Sequence, residues 1–413
     1  MASDPPVESA EWIEQHRAAA KYDLATSSPS PLSVRDLLDI SEHREISQQV
    51  LALPELRLED NDPLAGGAEL RGNLAALYSA RSIGVTRDDI VITSGESTAI
   101  YTVLSSLLTK GDHVICQHPA NELLYQIPMA LGAEVSLWKA KPSNKWKLDV
   151  EELTGLTRES TKLIVIHSPC DPTGAIVPRP VLEKLVDFAL ERKLVILADE
   201  VLRPLFHSIL PSSEDFPPST INMGYRRVVV IGSVSKAYSL PGIKAAWIAS
   251  RHSDIIRACQ HKTRLTSGPV SKLDETIAAE AVSERCIHGL LARNIKICQT
   301  NLEALQAFID EHNWACSWVK PLAGTTVLLK FHKMGKPVDE KAFCSALHSQ
   351  QGILVVPANR AVGDSSDLRG HVRVAFAAST SEFHSALEAW KIFMEESYET
   401  VPTVASKSSG KDH

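Results

Sequence analysis

The sequence predicts an α/β protein: a large domain on a mostly parallel seven-stranded sheet, followed by a smaller α+β domain. Two observations predict it. Between Asp89 and Ala249, short β-rich runs alternate with helical segments, the pattern of βαβ units with helices on both faces of one sheet. Beyond about Val282 that rhythm gives way to one long helical stretch and then to mixed strands and helices. A chain of 413 residues also exceeds what one simple core usually organises. The expected division is 1–45 as an N-terminal segment joining the small domain, 46–283 as the large domain, 284–400 as the small domain and 401–413 as a disordered tail.

Taken in order, residues from Val7 to about Ala20 mix Trp12, Ile13 and alanines with charges at helical spacing, which predicts a short amphipathic helix. The stretch from Tyr22 to Leu32 carries Ser27, Ser28, Pro29, Ser30 and Pro31 and reads as a loop. A second loop from Asn61 to Gly67 opens onto a helix expected to run from Ala68 to about Ser82. The seven strands are expected from Asp89 to Thr93, His113 to Gln117, Glu134 to Leu137, Leu163 to His167, Leu194 to Ala198, Arg227 to Ile231 and Ala246 to Ala249. The smaller domain should contain a helix from Glu284 to Glu311 and strands from Thr325 to Phe331, Ile353 to Pro357 and His371 to Ala377. A last helix is expected from about Ser381 to Ser397.

Composition narrows the function classes. Charged residues at 23% and hydrophobic residues at 44% describe an ordinary globular protein. A net charge of -7 argues against nucleic acid or an anionic membrane as partner. The N-terminus has no apolar signal-like segment and no apolar run reaches membrane-spanning length. Seven scattered cysteines lack zinc or redox spacing, so reduced, mostly buried thiols, no metal site and a cytoplasmic location are expected.

In a parallel sheet, ligands bind at the carboxyl ends of the strands, and the chemistry-bearing residues collect there. Lys236 lies just past the sixth strand in Ser233-Val234-Ser235-Lys236, before Pro241-Gly242 and Lys244. Such a lysine can form a Schiff base with a carbonyl cofactor, and the two serines can donate to a phosphate. Taken alone, it is equally a solvated surface lysine. Gly95, Glu96 and Ser97 follow the first strand and open a helix, whose backbone N–H groups make an anion site or merely a capped turn. His167-Ser168-Pro169-Cys170-Asp171-Pro172-Thr173-Gly174 is a rigid turn after the fourth strand, and Asp199 ends the fifth. Arg373, a cation inside the β-branched run Val372-Arg373-Val374, needs an anionic partner if buried.

Together these motifs resemble the fold-type I pyridoxal phosphate enzymes, specifically the class I/II aminotransferase superfamily, from about Tyr22 to Trp390. Ser-x-Ser-Lys with Pro-Gly following is the most specific element. Asp171-Pro-Thr-Gly is similar to the family's Asn-Pro-Thr-Gly, and Gly66 with Glu69-Leu70-Arg71 to its Gly-x-x-x-Leu-Arg helix start. The nearest likeness is to the capreomycidine-synthase-like, secondary-metabolism branch. The resemblance implies pyridoxal 5'-phosphate as cofactor, held covalently by Lys236, with Asp199 on the pyridine nitrogen. It implies Gly95, Glu96, Ser97, Ser233, Ser235 and Lys244 around the phosphate, and Arg373 on the substrate α-carboxylate. It further implies an amino acid and a keto acid as substrates, and a homodimer. Lyase or cyclase chemistry on the same cofactor is the alternative, and a non-catalytic relative a third reading.

Several positions depart from the pattern. Asn121 stands where a ring-stacking aromatic is expected, Asp171 replaces an asparagine that donates to the cofactor's phenolic oxygen, and Leu202 replaces a second donor, a tyrosine. Lys244 replaces an arginine, and Asn61 a tyrosine that reaches a neighbouring subunit. Asp171 is therefore expected to be the main protein group at the phenolic oxygen, either as a neutral donor or as a repelling anion.

Overall fold

The computed structural model describes residues 8–59, 65–80, 83–359 and 368–404. A helix α1 (Glu8–Arg17) comes first, then α2 (Ala68–Tyr78), β1 (Ile90–Thr93), α3 (Glu96–Leu107), β2 (His113–His118), α4 (Leu123–Ala130) and β3 (Glu134–Lys139). There follow β4 (Thr161–His167), α5 (Arg179–Arg192), β5 (Val195–Asp199), β6 (Val228–Ser233) and β7 (Ala246–Ala249). These strands form one seven-stranded sheet in the order β1-β7-β6-β5-β4-β2-β3, and only β7 runs against the others.

Alternation along each strand builds two cores from one sheet. Val91, Leu163, Val165, Leu197, Val229 and Ile231 go to one face. Ile92, Ile164, Ile166, Ile196, Val228 and Val230 go to the other. Burial on both faces is why these segments read as continuous apolar runs, and why the expected strands lie within two residues of the observed ones. All seven cysteines are buried and unpaired.

Helices α6 (Ser253–Thr266) and α7 (Lys272–Ala281) lead into the 28-residue α8 (Glu284–Glu311). Ile287, Leu290, Asn294, Cys298, Asn301, Leu305 and Phe308 are buried along it at spacings of three and four, the inward stripe of an amphipathic helix. Two asparagines in that stripe act as bolts. Asn294 Nδ2 donates to Ala237 O, beside Lys236, and Asn301 Nδ2 to Phe376 O and Ala378 O. One rigid element thereby holds both the lysine turn and the chain just past Arg373.

The second sheet is antiparallel. Strand β8 (Cys316–Trp318) and β11 (His371–Ala375) flank β9 (Thr326–Lys333), and β10 (Val356–Pro357) pairs with β11. Helices α9 (Glu340–Gln351) and α10 (Thr380–Glu396) cover it, with Phe331, Phe343, Trp390 and Phe393 packed ring on ring.

Four expectations change. The strand expected from Ile353 to Pro357 is two short strands in separate sheets, Ile353–Leu354 and β10, because the chain crosses from one pairing partner to another at Val355. The stretch assigned to a loop from Tyr22 begins with a two-residue strand, Tyr22–Asp23, parallel to Ile353–Leu354. Its partner lies some three hundred residues downstream, so local composition does not reveal it. Helix α2 ends at Tyr78, capped by Ser79, whose hydroxyl bonds Ala75 O and Val85 O and turns the chain. Residues 401–404, expected in the tail, are held by Asp339 N–H on Pro402 O and Val404 N–H on Pro337 O. Asn61 lies outside the described residues.

Candidate active site

The loop that follows Tyr22–Asp23 is folded by one side chain. Asp23 Oδ1 accepts from the N–H groups of Ala25 and Thr26, an Asx turn, and Oδ2 pairs with Arg17 at 3.3 Å. The turn delivers Ala25 O to Arg373 Nη2 at 2.6 Å and Ser27 Oγ to Lys236 Nζ at 2.6 Å. Thr325 Oγ1 holds Ser27 from behind through its carbonyl. A cavity of about 300 Å³ opens here, walled by Ser27, Glu96, Asn121, Asp171, Lys236 and Arg373 and covered by Ser9, Ile13 and Arg17 of α1.

Helix α1 is docked by polar contacts. Glu122 accepts from the backbone N–H and hydroxyl of Ser9, and Trp12 Nε1 donates to Val355 O at 2.9 Å. Glu122 is only 3% exposed. Burial raises its carboxyl above the usual range, while the Ser9 bonds and Arg373 pull the other way.

Five strand ends of the large sheet converge on the cavity. After β1, Gly95 adopts φ +93, a conformation side chains rarely take, and precedes the first turn of α3. That turn leaves backbone N–H groups of an anion-binding kind beside Glu96 and Ser97. After β2, Asn121 donates through Nδ2 to Glu96 Oε1 at 2.8 Å. The end of β4 places His167, 1% exposed, in register with Asp199 at the end of β5. Past β6, Ser233 Oγ donates to Ser235 Oγ at 3.1 Å and accepts from Ser235 N–H, setting the turn that leads to Lys236. Gly232 is required there, because a Cβ would lie 2.3 Å from the Trp247 ring.

Asp199 is fully buried, with Oδ1 accepting from Val201 N–H and Oδ2 without a partner. Burial pushes its carboxyl up to about 7, against the pull of the Val201 bond and Lys236. Burial, then the nearby Asp199 charge, likewise pushes Glu96 up to about 7. An acid in that state awaits a cation or a donor.

Asp171 behaves differently. Its Oδ1 lies 3.6 Å from Arg373 Nη1 and accepts from Thr326 Oγ1 at 3.1 Å. Burial opposes its ionisation, but Arg373, Lys236, His167 and the Thr326 bond outweigh burial and hold the carboxyl below its usual range. Of the two states open from sequence, the ionised one therefore holds, with Arg373 as its counter-ion. Gly174 keeps this turn in place at φ +64, where a Cβ would sit 2.2 Å from Pro321.

The structure thus brings together Gly95, Glu96, Ser97, Asn121, Asp171, Asp199, Ser233, Ser235, Lys236 and Arg373. It does not bring Lys244 in: that side chain is exposed and donates to Pro241 O, with its charge beside Asp274. Leu202 is buried, 1% exposed, among apolar neighbours. Sequence reasoning gave no role to Ser27, Glu122 or His167, all of which lie at or beside the cavity. A histidine ending a buried strand was the one readable signal, whereas Ser27 depends on a fold-back that no local pattern announces.

The residues fit pyridoxal phosphate on this chain's own geometry. An amine and a glycine-opened helix N-terminus with Ser97 line one cavity, and a buried carboxylate oxygen lacking a partner lies near that amine.

A family model for class I and II aminotransferases matches residues 58–389. Capreomycidine synthase of Streptomyces vinaceus is 26% identical over 382 residues, covering 92% of this chain and 91% of that protein. Aspartate aminotransferase of Thermotoga maritima is 26% identical over 352 residues, 84% and 87% of the two chains. Among solved structures, a PLP-dependent aminotransferase from Streptococcus suis 89-1591 superposes with a TM-score of 0.84 at 32% identity, covering 95% of this chain and 98% of the other.

Proposed function

The chain belongs to the aminotransferase class I and II family, whose members are pyridoxal phosphate-dependent transferases, and on that premise we propose that it transfers the amino group of an amino acid to a keto acid in the cavity around Lys236. The observation that carries this reading is Lys236 Nζ bonded to Ser27 Oγ at the cavity, with the unpaired Asp199 Oδ2 at the end of the neighbouring strand. When bound, the cofactor supplies an aldehyde that captures amines and a pyridine ring that withdraws electrons from a bond broken at Cα.

The chain's own groups do the rest. Lys236 would hold the cofactor through Nζ, and the same amine, when free, would take the proton from the substrate Cα. Ser27 accepts from that amine and keeps it aimed into the cavity. Asp199 Oδ2 is the partner for a protonated ring nitrogen, which would restore its ionised state. Glu96 and Ser97 through backbone N–H and Ser235 through its hydroxyl would hold the phosphate, while the Gly95 N–H is taken by Thr93 O and Ser233 sets Ser235 in place. Arg373 receives the α-carboxylate. Helix α1 adds Ser9, Ile13 and Arg17 to the lining.

A second reading is a lyase or cyclase acting on the same cofactor. Similarity to capreomycidine synthase over 92% of the chain favours it. So does Glu96, an additional carboxyl in the cavity held at about 7, where it can give or take a proton. A specialised pathway, a homodimer, a cytoplasmic location and the division at 45/46 and 283/284 are part of the proposal. Among the described residues no helix is long and apolar enough to cross a membrane.

A visible-range spectrum of the purified protein, before and after an amino-acid panel, tests the reading. Transamination predicts a keto acid and an aminated cofactor. Elimination or cyclisation predicts ammonia or a cyclised product with the cofactor's band restored.

A further inference from the structure

Beside the cavity, against its lining residue Asn121, lies a buried imidazole with an unpartnered ring nitrogen. His167 is buried at the end of β4, and its register partner across the sheet is Asp199. Paired residues on neighbouring strands project to the same face, so His167 and Asp199 lie side by side, next to the cavity-lining residues Asn121 and Asp171. Nδ1 accepts from the backbone N–H of Asn121 at 3.4 Å, which places the ring proton on Nε2. Nε2 is buried and has no hydrogen-bond partner. Buried donors are almost always satisfied, and the exceptions gather where a ligand belongs.

Its charged surroundings locate it further. Asp171 acts on it most strongly, then Glu96, then Lys236. Burial holds the imidazole down to about 4, so it stays a neutral donor. Pyridoxal phosphate carries a phenolic oxygen next to the carbon that joins Lys236, and that oxygen bears negative charge needing a donor. The groups near it offer few. Asp171 is ionised, accepts from Thr326 and faces Arg373. Leu202 is apolar, and one of the two Asn121 Nδ2 hydrogens is held by Glu96.

We propose that His167 Nε2–H is the protein donor to the phenolic oxygen of the bound cofactor, the place taken elsewhere in the family by the groups missing at 171 and 202. This rests on cofactor attachment at Lys236. A donor at that oxygen shares the negative charge that otherwise holds a proton on the Lys236 nitrogen. Removing the donor therefore raises the pH at which the visible band titrates.

The test uses the cofactor-loaded protein and its His167→Leu and His167→Gln variants, with the band titrated against pH and cofactor affinity measured by equilibrium dialysis. His167→Leu should raise the midpoint by about one unit, a tenfold change in proton affinity, and weaken cofactor binding several-fold. His167→Gln, which keeps a neutral N–H, should restore most of both. A His167→Leu midpoint equal to wild type would overturn the proposal while leaving attachment at Lys236 intact. Absence of any visible band from loaded wild type would overturn both. Should His167→Leu fail to fold, ¹⁵N spectra of wild-type histidine decide: the His167 Nε2 resonance should move when cofactor is added, and an unmoved one rejects the assignment.

Discussion

At the ends of β4 and β5, Asp199 Oδ2 and His167 Nε2 are buried without partners, while across the cavity Arg373 on β11 already donates to Ala25 O and faces Asp171. The first wall carries open valences in a region of low dielectric, which are costly unless something fills them. The second wall is largely closed by the chain itself, although Arg373 Nε also lacks a partner. The contrast implies an order of events. The strand-end wall is shaped for a resident group. On the proposed function the Arg373 wall takes the visitor, because an arriving carboxylate must compete with Asp171 and exchanges one anion for another.

Breaking the resident wall should produce the largest effects. Lys236→Ala should remove the borohydride-trapped cofactor and reduce turnover by at least ~10³-fold, checked by peptide mapping and steady-state kinetics. Near-normal turnover would exclude Lys236 as the base. Asp199→Ala should leave covalent trapping possible yet lower turnover by ~10²-fold or more, the scale of losing a charge partner in a closed site.

The visitor wall should respond less, and in binding rather than in turnover. Asp171→Asn relieves Arg373 of its competing anion, so the Kd for a dicarboxylate inhibitor should fall several-fold. If Asp171 instead governed the phenolic oxygen, the same variant would shift the visible band while leaving inhibitor affinity unchanged.

Stability against pH distinguishes the walls without any substrate. Asp199 and Glu96 titrate near 7 in the folded cofactor-free protein, against about 4 in an unfolded chain. Folding therefore takes up protons between about pH 4 and 7. The stability these groups contribute is complete below that window and is lost as pH rises through 7. Asp199→Asn removes one such group, so the cofactor-free variant should melt a few degrees above wild type at pH 8, with a smaller gap at pH 5. A thermal melt series measures both. Asp171, whose carboxyl lies below its usual range, contributes with the opposite sign and only at acidic pH. The smallest effect expected is Ser27→Ala, a loss of a few-fold in turnover, since the hydroxyl orients an amine that remains in place.

What could be read from the residues alone follows the same division. Strands buried on both faces announce themselves as apolar runs, so β1 to β7 and the groups at their ends, Asp199 and Lys236 among them, were legible. The visitor wall is assembled from segments remote in sequence. Ala25 and Ser27 are brought in by the Tyr22–Asp23 pairing with Ile353–Leu354, and Asp171 meets Arg373 across some two hundred residues. No local period encodes such contacts. Lys244 shows the converse: a motif position can be read correctly as a cation, while the turn at Pro241 directs that cation elsewhere.

The central claim is that Lys236 holds the resident group and surrenders it to an amino acid. Borohydride reduction of the loaded protein, followed by peptide mapping, should label Lys236 before an amino acid is added. After incubation with a reactive amino acid and no keto acid, that label should disappear as the aminated cofactor accumulates. A label on another lysine, or a Lys236 label unchanged by every amino acid tried, would contradict the account.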